Sequence, residues 1–374
     1  MPWTMNPDAA CRCHRTTIQH DRRAVSPSTA IAKLMFRVWI DEPVLDSVLP
    51  MLSGVAQLIG PGAPLEELET CDAALDPGAA WNAARLDRAS RLKVLSRIGV
   101  GYDNIDVDAA TERGIVVCYT PHGPTLSTAE HAVALIFAAA KTIAFADRDV
   151  RAVRWHNQFR TLKGMELQGR TLGLVGAGRI GSHVATIMQA VGMSVLVYDP
   201  FLSAEQARQR GIQPVCSLEE LLMLSDVVSL HAPSTAETKH LINAERLQAM
   251  KPGAILINTA RGALVDEHAL AQALRSGHLA AAGLDVFEQE PVCSDNPLLH
   301  LENVVLTDHI ASHTWAGHHR LYEMAVRHAL QALRGEIPDC VLNSTSFHLN
   351  RGRSGLLAMP NAPPDRPHDQ TDLI

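Results

Sequence analysis

The sequence predicts an α/β protein of two lobes, each built on a doubly wound parallel sheet. Three observations carry this. Apolar strand-like runs alternate with helical stretches from about residue 36 to residue 343, the pattern of parallel-sheet architecture. The chain has 374 residues, 47% of them hydrophobic and 20% charged, enough for one large core or two moderate ones, with two the better expectation. In its second half, six apolar runs follow one another with helices between them, as in a sheet whose ligand lies beyond the strands' carboxyl ends.

The first lobe is expected to hold short strands at 36–40, near 55–59, and at 72–75, 92–97 and 115–119, with helical stretches such as 106–113 between them. A long apolar helix, roughly 128–145, leads out. The second lobe offers Thr171–Val175, Val195–Asp199, Val227–His231, Ala254–Asn258, Ala281–Val286 and Val304–Thr307. Its clearest helix, 180–191, sets Ile180, Val184, Ile187, Met188 and Val191 on one face and closes at Gly192, a residue type that tolerates the left-handed turn past a helix end.

Outside these lobes the pattern stops. Residues 1–34 carry Arg12, Arg15, Arg22 and Arg23 without apolar periodicity or a hydrophobic leader core, so they read as a disordered extension and not a secretory signal. Cys11, Cys13 and His14 lack a fourth ligand nearby and read as polar chain. Met35 stands directly before the first strand and is a candidate start of the folded protein or of translation. Residues 344–374, with Pro360, Pro363, Pro364 and Pro367 among polar neighbours, read as a second disordered tail.

Lys plus Arg number 33 against 40 Asp plus Glu, a net charge of −7, the wrong sign for neutralising a phosphate backbone. No nucleic-acid partner is expected. The longest apolar run, Ala132–Ala140, is well short of the roughly 18 residues that cross a bilayer, so no membrane partner is expected either. Seven cysteines, at 11, 13, 71, 118, 216, 293 and 340, form neither a disulfide framework nor a zinc pattern, which points to a reducing cytoplasm.

Gly176-Ala-Gly178-Arg-Ile-Gly181 follows the strand Thr171–Val175 and opens the clearest helix. Gly176 permits the tight turn, Gly178 lets backbone approach a pyrophosphate, and Gly181 lets helix and strand pack closely, while the helix N-terminus attracts the anion. The next strand ends in Tyr198-Asp199, about 20 residues on, where a carboxylate meets the adenosine ribose. Asp199 would repel a 2′-phosphate, and Pro200-Phe201-Leu202 supplies no Arg to accept one. The lobe therefore reads as a Rossmann domain that prefers NAD to NADP, by at least roughly tenfold.

Three later strands deliver polar residues to the same edge: Arg261, Glu290 and His309. An Arg can fork onto a planar carboxylate, a His can exchange a proton near neutral pH, and a Glu beside it favours the imidazolium. Each alone is an ordinary loop residue. Together, downstream of a dinucleotide motif, they form a hydride-transfer set.

With these residues in place, the chain resembles the D-isomer-specific 2-hydroxyacid dehydrogenases, a family that includes D-3-phosphoglycerate dehydrogenases and glyoxylate or hydroxypyruvate reductases. The likeness runs from about Phe36 to Asn343 through Arg97-Ile-Gly-Val-Gly101-Tyr-Asp-Asn-Ile-Asp106, Ala129-Glu130-His131, His231-Ala-Pro233, Asn258-Thr-Ala-Arg261-Gly262, Asp285-Val-Phe-Glu-Gln-Glu290-Pro291 and His309-Ile-Ala-Ser312. The resemblance implies a flavodoxin-like substrate lobe, residues 35–127 plus 314–343, and a Rossmann lobe, residues 128–313, with the active site between them. It implies that Arg261 binds the 2-oxo acid, His309 exchanges the proton and Glu290 tunes His309. Gly99, Val100 and Gly101 would join Arg261 in substrate binding, with amides of Val100 and Gly101 turned to the substrate carboxylate. NAD contacts are implied for Gly176, Gly178, Arg179, Ile180, Gly181, Asp199, Ala232, Pro233, Thr259, Ala260, Asp285, His309, Ala311 and Ser312, with Asp285 meeting the nicotinamide carboxamide. A homodimer joined through the dinucleotide lobe is implied as well.

Two departures stand out. Pro121-His122-Gly123-Pro124 replaces a Pro-Gly-x-Asn of the family, which points to a reshaped interdomain loop, and Asp308 precedes His309 where the family has Pro. Asp308 is either solvated or set to act on His309. His313, His318, His319 and His328 lack interleaved carboxylates at ligand spacing and read as a polar helix face with no metal. The reading is an NAD-dependent oxidoreductase of a small D-2-hydroxy acid; the alternatives are a D-3-phosphoglycerate dehydrogenase or a corepressor-like NAD-responsive binding protein. An unphosphorylated 2-oxo acid is favoured because Asp76-Pro77-Gly78 stands where phosphoglycerate dehydrogenases tend to place an Arg. Arg85 or Arg88 could take that Arg's place.

Overall fold

The computed structural model describes residues 35–155 and 164–344; the expectations for residues 1–34 and for the chain past Ser344 lie outside them. The smaller sheet contains β1 (Phe36–Trp39), β2 (Ala56–Ile59), β3 (Ala73–Asp76), β4 (Val94–Arg97) and β5 (Val116–Cys118), all parallel, in the order β2-β1-β3-β4-β5. Helices α1 (Leu49–Leu52), α2 (Ala83–Arg88) and α3 (Val107–Glu112) connect them. Successive strand residues point to opposite faces, so Val38, Leu75 and Val94 enter one core while Trp39, Ala74 and Leu95 enter another. Burial on both sides is why these strands read as continuous apolar runs. The side chains of Asn82 and Asp106 accept first-turn amides of α2 and α3, which sets where those helices begin.

The long helix expected over 128–145 is two helices, α4 (Thr125–Ala140) and α5 (Ile143–Arg151), bent by 66°. Ala140 gives its carbonyl to the Met165 amide at 2.7 Å, and Thr142 takes the left-handed conformation, φ 52°. A tertiary contact thus ends a helix that composition alone would continue. No single helix among the described residues is long and apolar enough to cross a membrane.

The larger sheet has seven strands, one more than expected: β6 (Thr171–Val175), β7 (Ser194–Tyr198), β8 (Gln213–Pro214), β9 (Val227–Leu230), β10 (Ala254–Asn258), β11 (Leu279–Leu284) and β12 (Val304–Leu306). The extra strand, β8, is a two-residue edge ending in proline, too short to show a period and placed where a missing N–H is tolerated. All pairings are parallel, in the order β12-β11-β10-β9-β6-β7-β8. Strand order reverses between β6 and β9, so a crevice opens there at the carboxyl edge. Helices α6 (Arg179–Ala190), α7 (Ala204–Gln209), α8 (Leu218–Leu224), α9 (Ala244–Ala249) and α10 (Glu267–Arg275) make the crossovers. Helix α6 packs Val184 and Met188 into a core shared with Leu135 and Ile136 of α4.

The last helix, α11 (Trp315–Leu333), leaves the larger sheet and buries Leu321, Ala325, Val326 and Ala329 against Val38, Leu75 and Val94 of the smaller one. Ser96 Oγ donates to the Ala325 carbonyl at 2.9 Å. The chain therefore passes between the sheets twice, through Tyr119–Pro124 and after His313, and both passages flank the residues described next.

Candidate active site

At the carboxyl end of β6, Gly176 adopts φ +92°, and a Cβ there would lie 2.9 Å from the His231 carbonyl oxygen. A Cβ on Gly181 would lie 2.4 Å from the Gly176 oxygen. Both positions exclude any larger residue. Gly178 is the N-cap of α6 and offers no side chain to it, so the protein leaves that helix end to an external anion. Asp199 Oδ2 accepts the Ala177 amide and Oδ1 the Phe201 amide, both at 2.9 Å. A cavity of about 700 Å³ lies over this loop, lined by Gly178, Arg179, Asp199 and Phe201 among others. Arg210 also lines it, a cation from outside the Pro200-Phe201-Leu202 stretch. The cationic group arrives from the end of α7, where no local motif announces it.

Ala232 and Pro233 follow β9, and Thr259 and Ala260 follow β10, on the same edge. Thr259 Oγ1 is buried without a hydrogen-bond partner among the described residues. An orphaned hydroxyl, an uncapped helix end and a carboxylate on the glycine loop are the donor and acceptor set that a dinucleotide fits.

Arg261 is presented by a turn that Asn258 clamps: its Oδ1 accepts the Ala260 amide at 3.0 Å and its Nδ2 donates to the Arg261 carbonyl at 2.8 Å. Gly262 is needed because a Cβ there would lie 1.8 Å from the Phe287 carbonyl carbon. The Arg261 guanidinium crosses to the smaller lobe, donating through Nε to Asp103 Oδ2 at 2.9 Å. Its Nη2 lies where a Gly101 Cβ would come within 1.3 Å, so Arg261 and the Gly99–Gly101 turn meet. Gly99 is tied to Thr120. Its amide is held by Thr120 Oγ1 at 2.8 Å and its carbonyl by the Thr120 amide at 3.0 Å. Among the described residues the Val100 and Gly101 amides have no partner, and Arg97 Nε braces the Gly101 carbonyl at 2.8 Å.

His309 Nδ1 lies 2.6 Å from Glu290 Oε2, and Glu290 Oε1 accepts the Phe287 amide at 3.0 Å. Burial works to raise the Glu290 carboxyl, but the bonds from His309 and Phe287 outweigh it and hold it below its ordinary value. The Nε2 edge of His309 is left for another partner. His309 itself is left-handed, φ 58°, a strained state for a non-glycine residue that neighbouring contacts must enforce.

Asp285 enforces it. Its carbonyl accepts the His309 amide at 2.8 Å, its Oδ1 accepts Thr307 Oγ1 at 2.6 Å and the Ile310 amide at 2.9 Å, and its Oδ2 accepts the Ala311 amide at 3.0 Å. His131 of α4 approaches the same carboxylate at 3.3 Å and Thr307 Oγ1 at 3.0 Å. Burial raises the Asp285 carboxyl, yet His131, Thr307 and the two amides together hold it low. The fastening of the His309 loop was not legible in sequence, although Asp285 opens Asp285-Val-Phe-Glu-Gln-Glu290-Pro291 and His131 closes Ala129-Glu130-His131. Asp308 is exposed with no hydrogen bond among the described residues, the solvated alternative. Ser312 follows this loop and accepts the Thr314 amide at 2.9 Å.

The Pro121–Pro124 turn is held by Arg320 Nε on the Gly123 carbonyl at 3.0 Å, with Leu321 packed where a Gly123 Cβ would be. The four histidines take other partners: His313 packs edge-on to His318 at 4.7 Å, His319 meets Ser47 at 2.9 Å, and His328 is buried in the smaller core. Asp76 differs from expectation. Its side chain is fully buried, accepts the Gly78 and Ala79 amides at 3.0 and 2.8 Å, and faces Arg97 at 3.7 Å, so its carboxylate is engaged within its own loop.

A family model described as "D-isomer specific 2-hydroxyacid dehydrogenase, NAD binding domain" matches residues 133–311. A glyoxylate reductase of Korarchaeum cryptofilum is 45% identical over 285 residues, 75% of this chain and 85% of that protein. A D-3-phosphoglycerate dehydrogenase of Archaeoglobus fulgidus is 50% identical over 233 residues, 62% of this chain but 44% of that longer protein. Among solved structures, a D-lactate dehydrogenase of Aquifex aeolicus complexed with NAD and lactic acid superposes with a TM-score of 0.72 at 32% identity, covering 82% of this chain and 99% of that one.

Proposed function

The chain belongs to the D-isomer specific 2-hydroxyacid dehydrogenase family, and from that premise we propose that it interconverts a small D-2-hydroxy acid and its 2-oxo acid with NAD as cofactor. The carrying observation is the convergence of Arg261, the open Val100 and Gly101 amides and the His309–Glu290 pair at the carboxyl edges of both sheets. The glycine loop, Asp199 and Thr259 would hold NADH, which when bound would supply the hydride for the carbonyl carbon. Arg261 and the two amides bind the substrate carboxylate and orient the carbonyl. His309 gives the proton at Nε2 to the developing alkoxide and takes it back in the oxidising direction. Glu290 receives the Nδ1–H, fixes the tautomer and offsets the imidazolium charge.

Residues 35–127 with 314–343 form the substrate lobe in this reading, and residues 128–313 the cofactor lobe. An unphosphorylated acid, such as glyoxylate or hydroxypyruvate, is favoured over 3-phosphohydroxypyruvate, on grounds different from those in the sequence. Asp76 is buried, but the three arginines nearest that slot each face a carboxylate: Arg85 with Asp41 at 3.5 Å, Arg88 with Glu66 at 3.1 Å, and Arg97 with Asp76 at 3.7 Å. Steady-state kcat/KM for the three acids with NADH tests this, and a clear preference for the phosphorylated one overturns it.

A cytoplasmic homodimer completes the proposal. Ile143, Val150, Val153 and Trp155 leave an apolar face on and just beyond α5, with Val153 and Trp155 about nine-tenths exposed (91% and 89%). A second copy is its expected occupant. Sedimentation of the wild type against a Val153→Glu, Trp155→Glu variant tests it: a dimer that becomes monomeric supports the face, and an undisturbed dimer moves the interface elsewhere.

A further inference from the structure

The cofactor crevice contains a cation that the glycine motif does not account for. Helix α7 starts with a Ser203–Gln206 capping box and ends at Arg210, its C-cap, followed by left-handed Gly211. Gln189 of α6 donates to the Gly211 carbonyl at 2.7 Å, tying that end to the cofactor helix. The position of Arg210 is therefore set by backbone on both sides. Its Nη1 donates to the Ala177 carbonyl at 3.0 Å and to Ser182 Oγ at 2.8 Å. Ala177 is the residue whose amide Asp199 accepts. A carboxylate and a guanidinium thus grip the two polar ends of one glycine-loop residue, and both line the same cavity. They do not form an ion pair with each other, and among the described residues Nε and Nη2 of Arg210 have no partner.

We propose that Arg210 is a second determinant of cofactor choice: it offers the 2′-phosphate of NADP(H) a charge-assisted partner beside Asp199, so that NADPH is bound as well as NADH. Resting on the NAD reading above, this deepens it. Asp199 alone accepts ribose hydroxyls and repels a phosphate dianion; a guanidinium held on the carbonyl of the same Ala177 offsets that repulsion and presents the planar fork suited to phosphate oxygens. Discrimination becomes the balance of two side chains delivered by different elements, β7 and α7. Arg210 also braces the loop, which is why its test must separate charge from scaffolding.

Dissociation constants of NADH and NADPH, read from nicotinamide fluorescence, and of 5′-AMP and 2′,5′-ADP, read by calorimetry, decide it without turnover. In the wild type NADPH should bind within about tenfold of NADH. Arg210→Leu should weaken NADPH and 2′,5′-ADP by about tenfold or more while NADH and 5′-AMP change by no more than about threefold. Arg210→Lys should recover part of the loss. Asp199→Ser should turn the preference toward NADPH, and Ser182→Ala, which removes one brace and keeps the guanidinium, should leave the NADPH to NADH ratio as it was. Equal weakening of all four ligands in Arg210→Leu would make Arg210 a loop brace alone and overturn the proposal, as would unchanged binding of all four. Failure of NADH itself to bind would overturn the NAD reading instead.

Discussion

Arg261 and Asp103, 158 residues apart in sequence, meet across the cleft through Nε and Oδ2 at 2.9 Å. The contact joins the edge of the larger sheet to the turn after β4, and it leaves Nη2 against Gly101. Both side chains are partly exposed, at 33% and 56%, so as an ion pair it contributes only about 0–1 kcal/mol to stability. Its consequence is orientation. Asp103→Ala should raise KM for the 2-oxo acid several-fold with kcat changed less and the melting temperature within a few degrees, whereas Arg261→Lys, lacking the fork, should lose roughly 10- to 100-fold in kcat/KM.

Gly101→Ala tests the same geometry from the other side. The new methyl would stand 1.3 Å from Arg261 Nη2, the free end of a side chain that can swing away. The strain is relieved at the expense of the site and not of the core. Substrate KM should rise by about an order of magnitude or more while the thermal transition stays close to that of the wild type.

His309→Ala should lower kcat by roughly two to four orders of magnitude and leave NADH affinity within a few-fold. Glu290→Gln should be milder and carry a distinct mark. The bonds from His309 and Phe287 hold the carboxylate ionised below its ordinary range, and Gln keeps an acceptor for His309 Nδ1 while removing the charge. kcat should fall by about tenfold with KM for the 2-oxo acid nearly unchanged. An unchanged kcat would take Glu290 out of the proton transfer.

Asp285→Asn keeps the volume but sets an amide among donors. The Thr307 hydroxyl and the Ile310 and Ala311 amides all point at the two carboxylate oxygens, and an NH2 group cannot accept from any of them. Denaturant unfolding should show a loss of about 1–3 kcal/mol, accompanied by a fall in kcat as His309 leaves its left-handed position. Normal kcat in a destabilised variant would separate the two effects and remove the positioning role.

Burial beneath the glycine loop pushes the His231 imidazole down to about 4 from 6.5. A histidine depressed in the folded state favours folding in its neutral form, so its contribution is present above the unfolded value and is lost as pH falls from about 6.5 toward 4. His231→Gln removes that titration. The melting temperature of the wild type should fall more steeply than that of the variant between pH 7 and pH 4.5, and parallel curves would sink the assignment.

The sequence by itself determined the order of the elements, the two parallel sheets, the glycine loop and the triad, because each is written locally. Short continuous apolar runs marked the strands, the 3.6-residue stripe marked α6, and Gly176, Gly178 and Gly181 occur within six residues of chain. Arg261, Glu290 and His309 were legible because each follows a strand of one sheet, whose parallel order brings their ends together. Tertiary structure decided what depends on approach between distant segments. The Ala140–Met165 bond broke the α4 helix, and the edge strand β8 exists only through its pairing with β7. Asp76 turned inward to cap its own loop, Thr120 took the Gly99 amide, Asp103 reached Arg261, and Arg210 came to the cofactor crevice from the far end of α7. None of these contacts has a period or a fixed spacing. Where a long polar side chain finds its partner is set by the packing of whole elements, and that packing is a property of the folded chain rather than of any window along it.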